Sequence, residues 1–420
     1  MTLARRVLRA ALLVALSGVG VVAWLNRDDA QSPPPPPVAS ATPDQLARGA
    51  YLARIANCQG CHTVPGHAAY AGGRAIETPF GTVWSPNITP DAATGLGHWT
   101  SQDFWHALHD GKSRSGRLLS PAFPYTNFTR ITRADADALF AFLRTVTPVT
   151  EPARASGLRF PYGTPWALAV WRALFFRPGV FEPDPQHTAT WNRGAYLAEG
   201  AGHCAACHAL RNALGGITNR ELLEGGPLPA QPWYAPALAG LVRDDGAGTT
   251  RTEVARLLTT GTNARGTAIG PMAEVVSWST RHLTPDDAAA LADYLASRPA
   301  TPATASTRPA ADPALLNAGR ALYADRCRTC HGASGEGHPG KYPPLAGNLT
   351  VALPSPVNLV NAIRSGGFAP VTPGNPRPYG MPPYGQFLSQ REIATVASYV
   401  RVTWGRDASG VSELDVQRAR

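Results

Sequence analysis

Apolar residues are arranged along this chain in three patterns. The first is an uncharged run from Ala10 to Leu25, preceded by Arg5, Arg6 and Arg9. A basic stretch followed by an apolar one reads as a secretory signal or a signal anchor. The arginines stay on the cytoplasmic side and the rest of the chain crosses. The run has 16 residues, short of the roughly 20 that span a bilayer comfortably. No small-x-small cleavage site directly follows it, and the five prolines Pro33–Pro37 form a stiff spacer. A spacer is useful between an anchor that is kept and a folded body. The expectation is therefore a retained anchor over residues 1–27 and a Pro-rich linker over 28–43, with a cleaved signal as the alternative.

The second pattern is helical spacing, and it repeats. "RGAYLARIANCQGCH" from Arg48, "RGAYLAEGAGHCAACH" from Arg193 and the looser "NAGRALYADRCRTCH" from Asn317 are copies of one unit. Each copy closes on a second helix, beginning at Thr132, Thr284 or Ser389. In each, the Ser or Thr is followed three residues later by Asp135, Asp287 or Glu392, the signature of a capping box. Apolar residues then recur at helical spacing, as in Leu139, Phe142 and Leu143, or Leu291, Tyr294 and Leu295. A shorter helix is predicted over "SQDFWHALHDG" from Ser101. The stretches between are poor in strand patterns, and 40 prolines with 41 glycines demand much loop. The fold expected is mainly α, with three tandem units at 44–150, 189–298 and 313–408. A linker at 299–312 and a tail at 409–420 complete the division.

The third pattern lies in the connector 151–188, which holds Phe160, Trp166, Trp171, Phe175, Phe176 and Phe181. An idle linker would not carry so many aromatics. Residues 165–176 read as a short buried helix packed between the first two units, with a partner-docking surface as the alternative.

Composition narrows the class. The chain has 420 residues, 44% hydrophobic and 16% charged, which is globular material. The net charge of +9 is carried almost wholly by arginine, since Lys112 and Lys341 are the only lysines. No Lys/Arg run or basic–aromatic stripe is present, so nucleic acid is not an expected partner. Phosphate loops, dinucleotide fingerprints and serine-nucleophile elbows are also missing.

The chemistry sits in the six cysteines, which form three pairs, each followed by histidine: Cys58, Cys61 and His62; Cys204, Cys207 and His208; Cys327, Cys330 and His331. This is the pattern of covalent c-type haem attachment. Two thiols three positions apart reach the two vinyl groups of one porphyrin edge, and the adjacent His binds the iron from below. Zinc is the alternative, but two pairs sharing one ion would strand the third pair. Three covalently bound haem c groups are expected. A largely apolar haem also supplies the core that each small unit lacks.

Each iron has a sixth position. A Met thioether there makes a high-potential electron carrier. The chain has only three methionines, and Met1 belongs to the export segment. Met272 lies 64 residues after His208 and Met381 lies 50 after His331, each shortly before a closing helix. Both are read as iron ligands, although core packing is the usual role of methionine. In the first unit the equivalent place, 61 residues after His62, holds Phe123. Phenylalanine cannot bind iron, so Phe123 marks a vacant ligand slot. His67, His98, His106 and His109 are the histidines of that unit, with His106 and His109 the better distal candidates; Asn127 is a weak ligand. A five-coordinate iron and a His-ligated iron both stay open.

With these motifs in view, the chain resembles the triheme cytochrome c subunit of bacterial membrane-associated dehydrogenases acting on alcohols, aldehydes, gluconate, sorbitol or fructose. A related branch serves molybdenum hydroxylases of the nicotinate or isoquinoline dehydrogenase type. The resemblance rests on the three haem stretches, on "TPFGTVWSPNITPDAATGLGHWT", "NARGTAIGPMAEVV" and "GMPPYGQFLSQREIATVASYVR", and covers almost everything after the export segment. It implies three class I cytochrome c-like domains, a periplasmic location at the inner membrane, and electron transfer from a catalytic subunit to quinone or a downstream cytochrome or oxidase. The sugar and alcohol branch typically has Met-Pro-Tyr where this chain has Phe123-Pro124-Tyr125. That departure and the aromatic connector resemble the molybdenum branch, which implies a molybdopterin plus iron–sulfur partner. A flavin- or quinone-dependent dehydrogenase partner is the alternative. A peroxidase-like activity at an open first haem and a cytochrome module of a terminal oxidase chain are further readings.

Overall fold

The computed structural model describes residues 3–26, 41–242, 249–300, 310–405 and 409–419. The proline spacer and most of the 299–312 linker lie outside the described residues. The chain divides into two compact units. One comprises Met1–Leu52, Cys61–Phe181 and Arg211–Thr218; the other comprises Ala53–Gly60, Glu182–Leu210 and Asn219–Arg420.

Helices dominate. In chain order they are α1 (Leu3–Leu25), α2 (Pro43–Ile55), α3 (Cys58–His62), α4 (Ser101–His109), α5 (Tyr125–Phe128), α6 (Arg133–Leu143), α7 (Pro165–Phe175), α8 (Ala189–Tyr196) and α9 (Ala205–His208). They continue as α10 (Arg251–Thr260), α11 (Gly270–Trp278), α12 (Pro285–Ala296), α13 (Pro313–Arg326), α14 (Arg328–His331), α15 (Val357–Ser365), α16 (Gln390–Trp404) and α17 (Glu413–Arg418). Strands are minor. The largest sheet is β1 (Ala75–Thr78), β2 (Gly81–Trp84) and β3 (Gly157–Leu158), antiparallel throughout. This small sheet was not legible in the alternation of the sequence.

Each repeat brings its first helix across its last: α2 on α6, α8 on α12, α13 on α16. A glycine sits at each crossing. A Cβ on Gly49 would strike the Ala138 carbonyl, one on Gly194 the Ala290 carbonyl, and one on Gly319 the Thr395 carbonyl. Only a hydrogen in place of a side chain lets the backbones approach this closely. Beside the glycine, Arg48 pairs with the fully buried carboxylate of Asp135. Arg193 makes the same pair with Asp287, bidentate at 2.8 and 2.7 Å. In the third copy the arginine position is Ala318. There, Glu392 bonds back to the Ser389 amide (2.8 Å) while the Ser389 hydroxyl accepts from the Glu392 N–H, closing a full capping box. The cap hydroxyls of Thr132 and Thr284 accept from the N–H groups of Asp135 and Asp287 in the same way.

The second copy has one residue more than the first between its glycine and its haem motif: Gly49 precedes Cys58 by nine residues, Gly194 precedes Cys204 by ten. A turn of π-helix at Leu197–Ala201 takes up the extra residue, the usual way a helix absorbs a one-residue insertion.

Two sequence expectations are corrected. Residues 409–419 are not a tail, because Val411, Val416 and Ala419 join the core of the third domain with Tyr323, Val360 and Val400. Nor is the connector helix α7 buried. Only Arg172 and Ala173 in it are, whereas Trp166 is 59% and Leu174 60% exposed. Helical spacing reveals an apolar stripe but not what covers it.

Candidate haem sites

The three haem motifs form short helical turns, so that each pair of thiols projects from one side with the histidine just beyond. In all three, the His Nδ1 lies within hydrogen-bond distance of a proline carbonyl. His62 meets Pro86 at 2.8 Å, His208 meets Pro236 at 2.8 Å, and His331 meets Pro343 at 3.0 Å. A carbonyl can only accept, so the ring proton sits on Nδ1 and Nε2 keeps its lone pair for iron. Burial holds all three histidines below their ordinary pKa, against the opposing pull of the carbonyl. They are neutral at physiological pH.

Burial, and next the neighbouring Cys207, pushes the Cys204 thiol up to about 12; burial, and next Cys330, pushes Cys327 up to about 11. Among the described residues no cluster of three or more His, Cys, Asp or Glu side chains could hold a metal ion. The donor set suits thioether bonds to a porphyrin instead.

The third site encloses a cavity. Cys327, Cys330, His331 and Met381 line one cavity of about 550 Å³, walled by Val351, Leu359 and Ile363. That volume and apolar lining are those of a cofactor pocket. Met381 lies on β5 (Gly380–Met381), which pairs with β4 (Gly367–Phe368). The Gly366 position cannot carry a side chain, because a Cβ there would meet the Met381 carbonyl. The loop bearing the methionine is thus fixed by backbone contacts.

The second domain borders this cavity. Trp233, Asn263 and Ile269 contribute to its lining. Asn358 on α15 exchanges two hydrogen bonds with the backbone of Tyr234, both 2.8 Å, and Asn361 one turn later donates to the Pro232 carbonyl. Trp233 also packs on Gly270, where a Cβ would collide with the indole. Gly270 opens α11, the helix that carries Met272.

The first site differs. Phe123 packs against Phe128, ring centres 5.4 Å apart, just before the wholly buried turn α5. Tyr125 and Asn127 are fully buried; burial pushes the Tyr125 phenol up to about 12, opposed by the nearby Arg172. His106 uses both ring nitrogens within the protein, Nδ1 with Asp110 (2.6 Å) and Nε2 with Gln102 (2.8 Å). His109 bonds Asp110 through Nδ1 (2.8 Å) and stacks on Trp105. Both are half-buried, whereas the side of α4 that faces the core carries Phe104, Trp105, Ala107 and Leu108. His67 and His98 are exposed.

The cytochrome c family profile matches residues 46–147 and 192–299, and that of "Cytochrome C oxidase, cbb3-type, subunit III" matches residues 314–400. Similarity extends over nearly the whole chain to the cytochrome c subunit of the alcohol dehydrogenase (quinone) of Gluconacetobacter polyoxogenes, 36% identical over 90% of this chain and 86% of that one. The chain belongs to the cytochrome c subunits of dehydrogenases. The gluconate 2-dehydrogenase cytochrome c subunit of Pantoea cypripedii is 34% identical over 89% of both chains. One of the subunits of the nicotinate dehydrogenase of Pseudomonas putida is 40% identical over 89% of this chain but only 31% of its own length. As a member of this family, the cytochrome subunit carries covalent haem c and transfers electrons for a dehydrogenase. Haem supplies the one-electron couple, and the chain's own residues set its ligands and surroundings.

Proposed function

We propose that this cytochrome subunit relays electrons from a molybdenum hydroxylase to quinone or another respiratory acceptor on the periplasmic side of the inner membrane. The observation that carries the haem assignment is the His Nδ1–proline carbonyl bond, present at all three motifs. In this reading His62, His208 and His331 are proximal ligands. Met272 and Met381 are distal ligands, and Phe123 leaves the first haem without methionine. The shared cavity of His331 and Met381 supports the third assignment. The bonds of His106 to Gln102 and Asp110 favour an open first iron over His106 ligation, with a distal His109 the remaining possibility.

The molybdenum partner is supported by the Phe123 departure and by the 40% identity to the nicotinate dehydrogenase subunit. The alcohol and gluconate dehydrogenase relatives support the flavin or quinone alternative. Affinity purification of the tagged chain from its native membranes, followed by metal and cofactor analysis, decides between them. Molybdenum and non-haem iron in proportion to haem is the expected result. A flavin or quinone cofactor with no molybdenum would reverse the choice.

The same proposal keeps α1 as an anchor. Among the described residues no helix is long and apolar enough to cross a membrane by itself. The uncharged part of α1, Ala10–Leu25, rises about 24 Å, some 6 Å less than a hydrocarbon core. Arg5 and Arg9, both exposed, can snorkel to the headgroups and make up part of that difference. The large exposed side chains further along are apolar: Leu12, Leu13, Leu16, Val19, Val21 and Trp24.

A further inference from the structure

Helix α7 reverses the usual order of a surface helix. Its one charged residue, Arg172, is buried. Its outward stripe is Trp166, Val170 and Leu174, spaced four apart and 59%, 40% and 60% exposed, with Phe160 just before it at 83%. A soluble helix normally shows polar residues outward, and a contiguous exposed apolar stripe marks a binding surface. The flanking sequence adds charge of one sign. Between Glu151 and Glu182 there are four arginines, Arg154, Arg159, Arg172 and Arg177, and no acidic residue.

The position of α7 within its unit identifies what covers it. Asn26, at the end of α1, is bolted to α7: its Nδ2 donates to the Ala169 carbonyl (3.0 Å), and its Oδ1 accepts from Arg172 Nε (2.9 Å). Lys112 Nζ donates to the Asn26 carbonyl at 2.9 Å, and Arg172 also donates to the Asp110 carbonyl at 2.5 Å. Arg172 thus ties the end of the apolar helix and the C-terminal end of α4 to the same turn of α7. A residue fixed to the exit of a membrane-inserted helix is held at the bilayer surface.

We propose that α7 is an interfacial helix that lies in the headgroup layer of an anionic phospholipid bilayer, with Trp166, Val170 and Leu174 facing the acyl chains. This rests on the reading of α1 as a retained anchor and deepens it, because α7 supplies the apolar contact that a short α1 lacks. An aromatic residue at the water–lipid boundary and flanking arginines are what such a helix needs. The three exposed arginines, Arg154, Arg159 and Arg177, select anionic headgroups over a neutral surface.

The test uses the full-length holoprotein. All six cysteines carry haem, so Val170→Cys supplies the sole free thiol and takes a nitroxide spin label; Leu16→Cys on α1 reports separately. Both are reconstituted into vesicles of phosphatidylcholine and phosphatidylglycerol, and depth is read from relaxation by oxygen against a water-soluble nickel chelate. The expected result is deep burial at Leu16 and headgroup depth at Val170. In a background of Trp166→Gln and Leu174→Gln, the Val170 label should move into water while the Leu16 label stays put. A Val170 label in water with a buried Leu16 label overturns the interfacial helix and leaves the anchor standing. Both labels in water, with no flotation on vesicles, overturns both. Protection of Val170 only when the dehydrogenase partner is added, without lipid, assigns the stripe to a protein and overturns the proposal.

Discussion

The first and third haem domains share a frame and differ in how they finish it. Both cross a first helix over a last one at a glycine, Gly49 or Gly319, whose place no side chain can take. Both hold the histidine of the haem motif through a proline carbonyl, Pro86 or Pro343. Yet the first locks its helices with Arg48 on Asp135, whereas the third has Ala318 there and uses Glu392 in a helix cap. The first has Phe123 where the third has Met381 beside its cavity. Positions set by backbone collision and by the tautomer of the histidine are common to both. The Phe123 and Met381 positions, and those that add a salt bridge, vary. The second domain sides with the first in its Arg193–Asp287 pair and with the third in having a methionine, Met272.

The comparison can be broken most severely at the helix crossing. Gly49→Val, Gly194→Val and Gly319→Val each drive a side chain into a backbone carbonyl, which cannot move without opening the helix pair. Each should cost more than about 3 kcal/mol, read as a fall in thermal midpoint and in haem incorporated per chain. Normal haem content and stability in all three would show that the crossing is looser than the geometry implies.

A smaller effect sharpens the distinction between the locks. Asp287→Asn removes half of a bidentate pair whose carboxylate is mostly buried, and is expected to destabilise by about 1–2 kcal/mol, discounted because Arg193 is partly exposed. Ser389→Ala takes one capping bond from α16 and should cost about 1 kcal/mol. Denaturant melts of the two variants should rank in that order. Equal losses would mean that the cap and the ion pair do the same work.

Much of this comparison was legible in the sequence. The haem motifs, the paired helices and the caps followed from spacing, because cysteine chemistry and helix ends leave residue-type signatures. The scarcity of methionine singled out Phe123. The proline carbonyls did not show, since a backbone acceptor has no side-chain signature and its distance from the histidine varies between copies. The Arg48–Asp135 pair was present in the text of the repeat and the cap, yet only the fold brings the two together. The exposure of the connector was hidden for a different reason. Trp166, Val170 and Leu174 have the spacing of a buried stripe, and a sequence does not distinguish protein interior from an exposed apolar surface.

The most direct test of the account is a count of methionine-ligated haems. The oxidised holoprotein is examined for the methionine-to-iron charge-transfer band in the far red, scaled per haem, with low-temperature EPR to count high-spin iron. A band from two haems of the three is expected, one for Met272 and one for Met381. It should halve in Met272→Ala or Met381→Ala, with a fall in the potential of the haem that loses its ligand. It should rise by half in Phe123→Met, with a higher potential for the first haem. A wild-type band that survives either methionine substitution at full strength, or a Phe123→Met protein whose spectrum and potentials are those of wild type, would contradict that expectation.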